Sequence, residues 1–212
     1  MAKKNKPTIS YSELAATAKT GDIVLFEGVS LFSKLVRIFT GSRFSHIGMI
    51  YRHPEALLFF QATTLKTVRD VLKNGEKHEG VQLGPLKQVL DTYGNHKKGA
   101  LHYRKFEVEV TDEQESAFKA YIDEVDGRPI TSTPELFKEY LIEGRFLHHG
   151  TNHHYYFCSE LVAESCMAMG FLPKRPISNS YSPRAFSDNA KKKLPWQSSG
   201  SLAGEHFVDL NS

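Results

Sequence analysis

A cysteine and a histidine lie in the two stretches of this sequence that are best suited to chemistry. Cys158 stands at the start of a predicted helix, residues 159–169, and His46 stands in an apolar, strand-like stretch, residues 44–51. A thiol must lose its proton to attack a carbonyl carbon, and a helix N-terminus or a neighbouring imidazolium lowers the thiol pKa. The N–H groups of the first helical turn can also stabilise the oxyanion that forms. These residue types therefore suit a cysteine nucleophile with a histidine base.

The second cysteine has a different setting. Cys166 lies next to residues 167–169, in the middle of the same predicted helix, where cysteine usually acts as a small core residue. Eight helical residues separate two Cα atoms by about 12 Å, which exceeds the roughly 7 Å that a disulfide spans. We therefore predict two free thiols, as in a reducing compartment. Alone, Cys158 or His46 is more often a buried structural residue, so the case rests on their joint context.

Local sequence patterns predict an α+β arrangement around these two stretches. Capping-box spacing begins helices after Ser10 and Thr111, and apolar periodicity separates the other helices from the strands. The predicted strands are residues 22–26, 45–51, 56–63, 81–83 and 101–110, and the predicted helices are 14–18, 29–39, 85–93, 111–125, 134–140 and 159–169. Since no repeat or linker interrupts the chain, we predict one domain over residues 1–212, with its core at about 10–185 and a C-terminal extension at 186–212.

The composition narrows the class of protein. The 212 residues are enough for a domain with its own core, and 40% hydrophobic with 24% charged residues is an ordinary globular balance. A net charge of +3 is too small to indicate a nucleic-acid partner. No run of about 18 apolar residues predicts an integral membrane segment, and the basic N-terminus lacks the apolar core of a secretory signal. We therefore expect a cytoplasmic protein, whose oligomeric state the sequence does not indicate.

Three stretches carry a resemblance to a known family: residues 21–26 (GDIVLF), 40–49 (TGSRFSHIGM) and 156–162 (YFCSELV). They resemble the opening strand, the histidine strand and the nucleophile helix of the circularly permuted papain-fold enzymes of the NlpC-type superfamily, the YiiX/YaeF-like group. Lecithin–retinol acyltransferase-like proteins are more distant relatives. The order also agrees, because in unpermuted papain-like enzymes the cysteine comes first. The resemblance covers about residues 20 to 170 and implies a permuted papain-like fold, with helices packed against a central antiparallel sheet.

By this resemblance Cys158 is the nucleophile, His46 is the general base, and a third polar residue follows on the next strand, often a carboxylate. Here that position is Gln61. A glutamine can accept a hydrogen bond from one imidazole nitrogen and fix the ring tautomer, as amides do in papain-like proteases. It lacks the negative charge that would stabilise an imidazolium, so we predict a weaker ion pair than with a carboxylate. The alternative is that Gln61 is a strand residue that faces solvent.

The resemblance implies a cysteine hydrolase or acyltransferase that cleaves an amide, ester or thioester bond. The substrate would be a peptide or a lipid acyl group, and the intermediate an acyl-thioester on Cys158. Two other classes stay open. One is a catalytically weak peptide- or lipid-binding module on the same fold. The other is a redox-sensing protein, in which Cys158 would oxidise independently of His46.

A cluster of four histidines precedes the cysteine stretch. It comprises His148, His149, His153 and His154. Such clusters can bind zinc, but residues 150–152 predict a loop and the spacing matches no standard zinc pattern. We therefore expect neither a metal nor another cofactor, and we expect this loop to flank the active-site groove or to face solvent. A pH-sensitive role stays open because imidazoles titrate near neutral pH.

Overall fold

The computed structural model describes five ranges of the chain, residues 6–27, 42–94, 100–130, 157–176 and 178–212. Three features predicted from the sequence lie outside them: the helices at 29–39 and 134–140, and the histidine cluster at 148–154. In the described ranges no helix has the length and apolar character needed to cross a membrane.

The described strands form a single sheet with helices on both sides. In chain order the elements are β1 (Thr8–Ser10), α1 (Tyr11–Thr17), β2 (Ile23–Glu27), β3 (His46–His53), β4 (Ala56–Thr63), β5 (Gly80–Pro85), α2 (Leu86–Gly94), β6 (Ala100–Arg104), α3 (Asp112–Val125), α4 (Cys158–Ala168), two short 3₁₀ turns (Ser178–Ser180 and Pro183–Phe186) and β7 (His206–Asp209). The spatial order of the strands is β1-β7-β6-β2-β3-β4-β5. β1 and β7 pair in parallel, and the other neighbours pair antiparallel.

The alternation of side chains along each strand divides the core between the two faces of the sheet. In β2, Ile23 and Leu25 belong to the core cluster that also contains residues of α3 and α4. Val24 and Phe26 belong to the cluster that contains residues of α1 and α2. Because successive strand residues point to opposite faces, β2 supplies both clusters. A sheet between two helical layers confirms the predicted α+β class.

The helix starts also follow the sequence signals. Ser10 Oγ accepts a hydrogen bond from the Glu13 N–H at 3.1 Å, which caps α1. Thr111 and Gln114 form the predicted reciprocal capping box at the start of α3. These bonds satisfy N–H groups that have no partner inside their own helix. They explain why both helices begin within a few residues of the predicted positions.

Strands β3 and β4 pair over only part of their length. Their ladder ends at Met49↔Phe60, although β3 continues beside β2 to His46 and β4 continues beside β5 to Thr63. In this described region the two strands therefore diverge, and we call the space between residues 46–48 and residues 61–63 the β3–β4 fork. In the fork, side chains from β3 and β4 can contact each other next to backbone groups that make no β3–β4 ladder hydrogen bonds.

A glycine lies in the fork. A Cβ atom placed on Gly48 would stand 2.5 Å from Phe59 Cζ and 2.7 Å from the Phe60 carbonyl oxygen. The Phe59 ring is fully buried and the carbonyl belongs to the paired part of β4, so neither group can move away easily. The close approach of β4 to β3 at the base of the fork therefore requires glycine at this position.

Strand β6 is shorter than the sequence predicts. The alternating apolar pattern predicts a strand over residues 101–110, but β6 ends at Arg104. Beyond it, the Phe106 N–H donates to Asp22 Oδ1 at 2.7 Å, and Phe106 forms an isolated bridge with Leu202. The chain leaves the sheet because these distant partners take the backbone groups that a longer ladder would use. Alternation alone could not reveal those partners.

The C-terminal segment contains a strand that the sequence did not predict. Residues 206–209 form β7, which lies between β1 and β6, whereas the sequence indicated only an extension over residues 186–212. Charged side chains hold this segment in place. The fully buried carboxylate of Glu205 contacts the Lys6 ammonium group and lies 2.5 Å from Arg43 Nη2. Burial would raise the pKa of Glu205, but hydrogen bonds from His102, Lys6 and the Asp188 N–H hold it well below its usual range.

We expect Gly48→Ala to destabilise the protein by about 1–3 kcal/mol, because the new methyl group overlaps Phe59 and the Phe60 carbonyl. Urea unfolding followed by circular dichroism measures the change. Gly204→Ala is the matched control, since a Cβ there would have no neighbour within 4 Å. Equal stability of the two variants would show that the fork has room for a side chain.

Candidate active site

The predicted general base is held by the predicted orienting residue. His46 lies buried at the first position of β3, and its Nε2 is 2.8 Å from Gln61 Oε1 on β4. A carbonyl oxygen only accepts hydrogen bonds, so Nε2 carries the proton and Nδ1 of the neutral ring is left as the proton acceptor. Gln61 is 0% exposed. The bond spans the β3–β4 fork, and the alternative of a solvent-facing glutamine is wrong.

Two aromatic residues hold the plane of the His46 ring. Tyr93, near the end of α2, stacks on the imidazole with ring centroids 5.0 Å apart and planes 10° from parallel. Phe26 contacts the imidazole as well, at 5.1 Å between centroids. The Tyr93 hydroxyl lies 2.9 Å from Thr63 Oγ1, at the end of β4. The imidazole is thus fixed both by its edge, through Gln61, and by its face, through Tyr93.

The predicted nucleophile begins α4 beside the same fork. Cys158 is the first residue of that helix and is half-buried. The backbone N–H groups of Ile47, Ser159 and Cys158 itself make hydrogen bonds to its sulfur. Ile47 directly follows His46, and the charge of Cys158 also acts on the Tyr93 hydroxyl. The structure therefore brings Cys158 to the part of β3 that carries the histidine.

Burial decides the ionisation of both groups. It raises the pKa of Cys158 to about 11, against the lowering effect of the three N–H groups. It lowers the pKa of His46 to about 4, against the hydrogen bond to Gln61. The sequence predicted that the helix N-terminus would lower the thiol pKa, and here the loss of hydration outweighs that effect. At neutral pH the site therefore holds a thiol and an uncharged imidazole.

A buried carboxyl group, that of Glu160, lies two residues after the cysteine in the first turn of α4. Glu160 Oε2 accepts the Phe157 N–H at 3.3 Å, and Ser178 Oγ lies 3.5 Å from Glu160 Oε1. Burial, together with the charge of Glu164 on the next turn, raises the pKa of Glu160 to about 8. Glu160 is therefore mostly protonated at neutral pH. It caps α4 without placing a full negative charge beside the thiol.

The second thiol lies apart from this group. Cys166 is 2% exposed in the core between α4 and the sheet, and burial raises its pKa to about 12. Both cysteines are free. Cys166 is thus a core residue, as its mid-helix position predicted.

Metal ligands are not gathered in the described part of the chain. Among those residues no group of three or more His, Cys, Asp or Glu side chains is arranged to hold a metal ion. The histidine cluster at 148–154 is outside that part of the chain. In the described part of the chain, the groups around Cys158 are the thiol, the imidazole, the Gln61 amide, the Glu160 carboxyl and backbone N–H groups.

Comparisons with known proteins gave one structural likeness to report. The sequence matched no protein-family model and no curated protein. Among solved structures, the chain is similar to the metalloprotein YiiX from Escherichia coli O157:H7, with 22% sequence identity and a TM-score of 0.49 over 72% of this chain and 67% of the other. That protein bears the name of the group that the sequence motifs resemble. At this level of similarity the likeness bears on neither the activity nor the site residues of this chain.

Sequence reasoning missed three residues of this region. Tyr93 gave no signal, because a tyrosine at the end of an amphipathic helix is usually a packing residue. Glu160 sits at the N3 position of a helix whose N-cap, Phe157, has no capping side chain of the usual kind. Gln82 was detectable in principle, since it is a polar residue between Val81 and Leu83 in a strand that is otherwise apolar.

We expect Gln61→Glu to raise the pKa of His46 above its value of about 4, because a carboxylate would replace the uncharged oxygen 2.8 Å from Nε2. An NMR pH titration, with the His46 signal identified by its loss in His46→Ala, measures the shift. In the unaltered protein the neutral His46 supports stability above pH 6.5, and that support is lost as the pH falls towards 4. The variant should lose less stability over this interval. Gln88→Glu, on the outer side of α2, is the control.

We expect Glu160→Gln to change how stability depends on pH. With its pKa raised from 4.5 to about 8, native Glu160 holds a proton that the unfolded chain releases, so its contribution to stability falls as the pH rises through this window. Glutamine keeps an oxygen for the Phe157 N–H and does not titrate. Urea unfolding at pH 5, 6.5 and 8 should therefore show a flatter profile for the variant. Parallel profiles would show that Glu160 ionises normally.

Proposed function

We propose that this protein is a thiol hydrolase or acyltransferase that acts through an acyl-thioester on Cys158. In this proposal His46 is the general base and Gln61 orients it. The observation that supports it best is the hydrogen bond between His46 Nε2 and Gln61 Oε1, because that bond leaves Nδ1 as the acceptor in a buried imidazole. Cys158 lies at the same end of β3, with its sulfur hydrogen-bonded to the N–H of Ile47.

The reaction begins with an uncharged pair. As Cys158 Sγ attacks the substrate carbonyl carbon, the thiol proton passes to Nδ1 of His46, and a tetrahedral oxyanion forms. N–H groups of the first turn of α4 can stabilise that oxyanion. The imidazolium then gives its proton to the leaving nitrogen, oxygen or sulfur, the bond to the leaving group breaks, and the acyl-thioester remains. Water or an acceptor nucleophile, deprotonated by His46, then releases the acyl group and restores the thiol.

The raised pKa of the thiol favours substrate-dependent activation. Because burial holds the pKa of Cys158 at about 11, little thiolate is present in the free protein at neutral pH. A bound carbonyl group allows bond formation and proton transfer to occur together, so the free ion pair need not form first. The low thiolate content of Cys158 also argues against a redox-sensing role, because oxidation by peroxides requires a thiolate.

The substrate class follows from the resemblance seen in the sequence and not from the site geometry. We propose a peptide amide or a lipid acyl group as the substrate, without a nucleic-acid partner, in the cytoplasm. Two free thiols agree with a reducing compartment. The same observation of an un-ionised thiol supports a second candidate, a peptide- or lipid-binding module on this fold that performs little chemistry.

We expect a panel of acyl donors, p-nitrophenyl esters of different acyl groups, to acylate Cys158 and not Cys166. Cys158→Ala should abolish the adduct, and Cys166→Ala should leave it unchanged, since Cys166 is buried in the core. His46→Ala should slow acylation by about 10²–10⁴-fold, the usual contribution of a general base. Intact-protein mass spectrometry detects the acyl-thioester and its turnover.

The iodoacetamide rate gives an independent check. It should rise with pH towards about 11 in the free protein, because alkylation requires the thiolate. The rate of acyl transfer to Cys158 should already be at its maximum at neutral pH, because His46 takes the thiol proton during the attack. If the protein binds a probe but no adduct forms on Cys158, the result would favour the peptide- or lipid-binding module.

A further inference from the structure

A second glutamine lies behind Gln61. Gln82 on β5 stands directly opposite Gln61 in the β4–β5 ladder, and both side chains are 0% exposed. Gln61 Nε2 donates to Gln82 Oε1 at 3.5 Å, and Gln82 Nε2 donates to the His78 carbonyl oxygen at 2.8 Å. The two amides thus connect a backbone carbonyl on one side of β5 with the imidazole of His46 on the far side of β4.

The direction of every bond in this series follows from its first member. The His78 carbonyl can only accept, so Gln82 must present its NH₂ group there and its oxygen towards Gln61. Gln61 must then present its own NH₂ group to that oxygen, which leaves its oxygen for His46. An oxygen at that place accepts a hydrogen bond from the Nε2–H group, so the neutral ring has its free lone pair on Nδ1. Because the His78 carbonyl can only accept, it fixes which group is the donor and which is the acceptor in each of the three hydrogen bonds.

The carbonyl is itself held firmly. The His78 ring bonds at both nitrogens, with Nε2 2.7 Å from Asp70 Oδ2 and Nδ1 2.9 Å from the Glu79 carbonyl oxygen. The other oxygen of Asp70 accepts the Leu72 N–H at 2.9 Å. Asp70 is fully buried and paired, so the segment before β5 cannot rotate its carbonyl without breaking these bonds.

We propose that Gln82 is a positioning residue, which fixes the amide of Gln61 and thereby the tautomer of His46 that can accept the thiol proton. The effect on the tautomer depends only on the hydrogen bonds above, while the effect on acyl transfer rests on the proposed function. Without Gln82, the amide of Gln61 can turn over and present NH₂ to His46. The ring then carries its proton on Nδ1, and no base faces the thiol.

The test uses two variants of Gln82 and one control. Gln82→Leu removes both hydrogen bonds. Gln82→Glu keeps an oxygen that accepts from Gln61 Nε2 whether or not its carboxyl is ionised, so it preserves the bond that orients Gln61. Gln88→Leu is the control, because Gln88 bonds the Arg69 N–H from the outer side of α2. Nitrogen-15 NMR of the His46 ring reports which nitrogen carries the proton, whether or not the protein is an enzyme.

We expect the unaltered protein and Gln88→Leu to show the proton on Nε2 alone. Gln82→Leu should show a mixture of tautomers and acylate Cys158 about five- to tenfold more slowly, in line with the loss of one hydrogen bond. Gln82→Glu should keep the proton on Nε2 at low and at neutral pH, because its carboxyl oxygen accepts from Gln61 in either form. The reduced rate should appear in kcat and not in KM.

Any one of three results would contradict the proposed positioning role of Gln82. Gln82→Leu could keep the Nε2 proton and the original acylation rate. If that variant does not fold, Gln82→Glu could carry the His46 proton on Nδ1. The unaltered protein could carry its proton on Nδ1. If instead the tautomer responds to Gln82 but Cys158 forms no adduct with any probe, the positioning role stands and the proposed hydrolase or acyltransferase function fails.

Discussion

The divergence of β4 from β3 after the Met49↔Phe60 pair is the constraint on which the candidate site depends. A backbone that leaves its ladder inside a protein must find other hydrogen-bond partners. Here the Ile47 N–H bonds the sulfur of Cys158, and the space between the strands is bridged by side chains, His46 and Gln61. The candidate site residues occupy the place that regular sheet hydrogen bonds would have taken.

Burial gives the site its second property, which is electrical neutrality. The thiol, the imidazole and the nearby Glu160 carboxyl are all held in their uncharged forms at neutral pH. The orienting residue is an amide, so it offsets only part of the cost of burying a charged ring. The partners of His46 are accordingly uncharged: an amide oxygen at its edge and the aromatic rings of Tyr93 and Phe26 on its faces. Such a site controls protons through tautomers and hydrogen-bond direction, and not through fixed ion pairs.

Much of this arrangement could be predicted from local sequence. Capping residues and apolar periodicity predicted the helices of the described ranges and most of the described strands, and helix position separated Cys158 from Cys166. The family resemblance, and not a local pattern, pointed to Gln61 on the strand after His46. What escaped prediction depends on contacts between distant segments. Tyr93 reaches His46 only because α2 packs across the sheet, and β6 ends at Arg104 because its following residues bond Asp22 and Leu202. The thiol pKa required the degree of burial, which no local pattern carries.

The position of β7 has a consequence for how the molecule is made. Within the described sheet, β1 pairs only with β7, which in turn pairs with β6. During translation, residues 8–10 leave the ribosome early but have no ladder partner until residues 206–209 have also emerged. All six strands from β1 to β6 can thus have been synthesised while β1 still lacks its ladder partner, β7. The β1 side of the sheet can therefore form only after β7 has been synthesised. A nascent chain contains the strands of the candidate site, β3 and β4, before that side of the sheet can assemble.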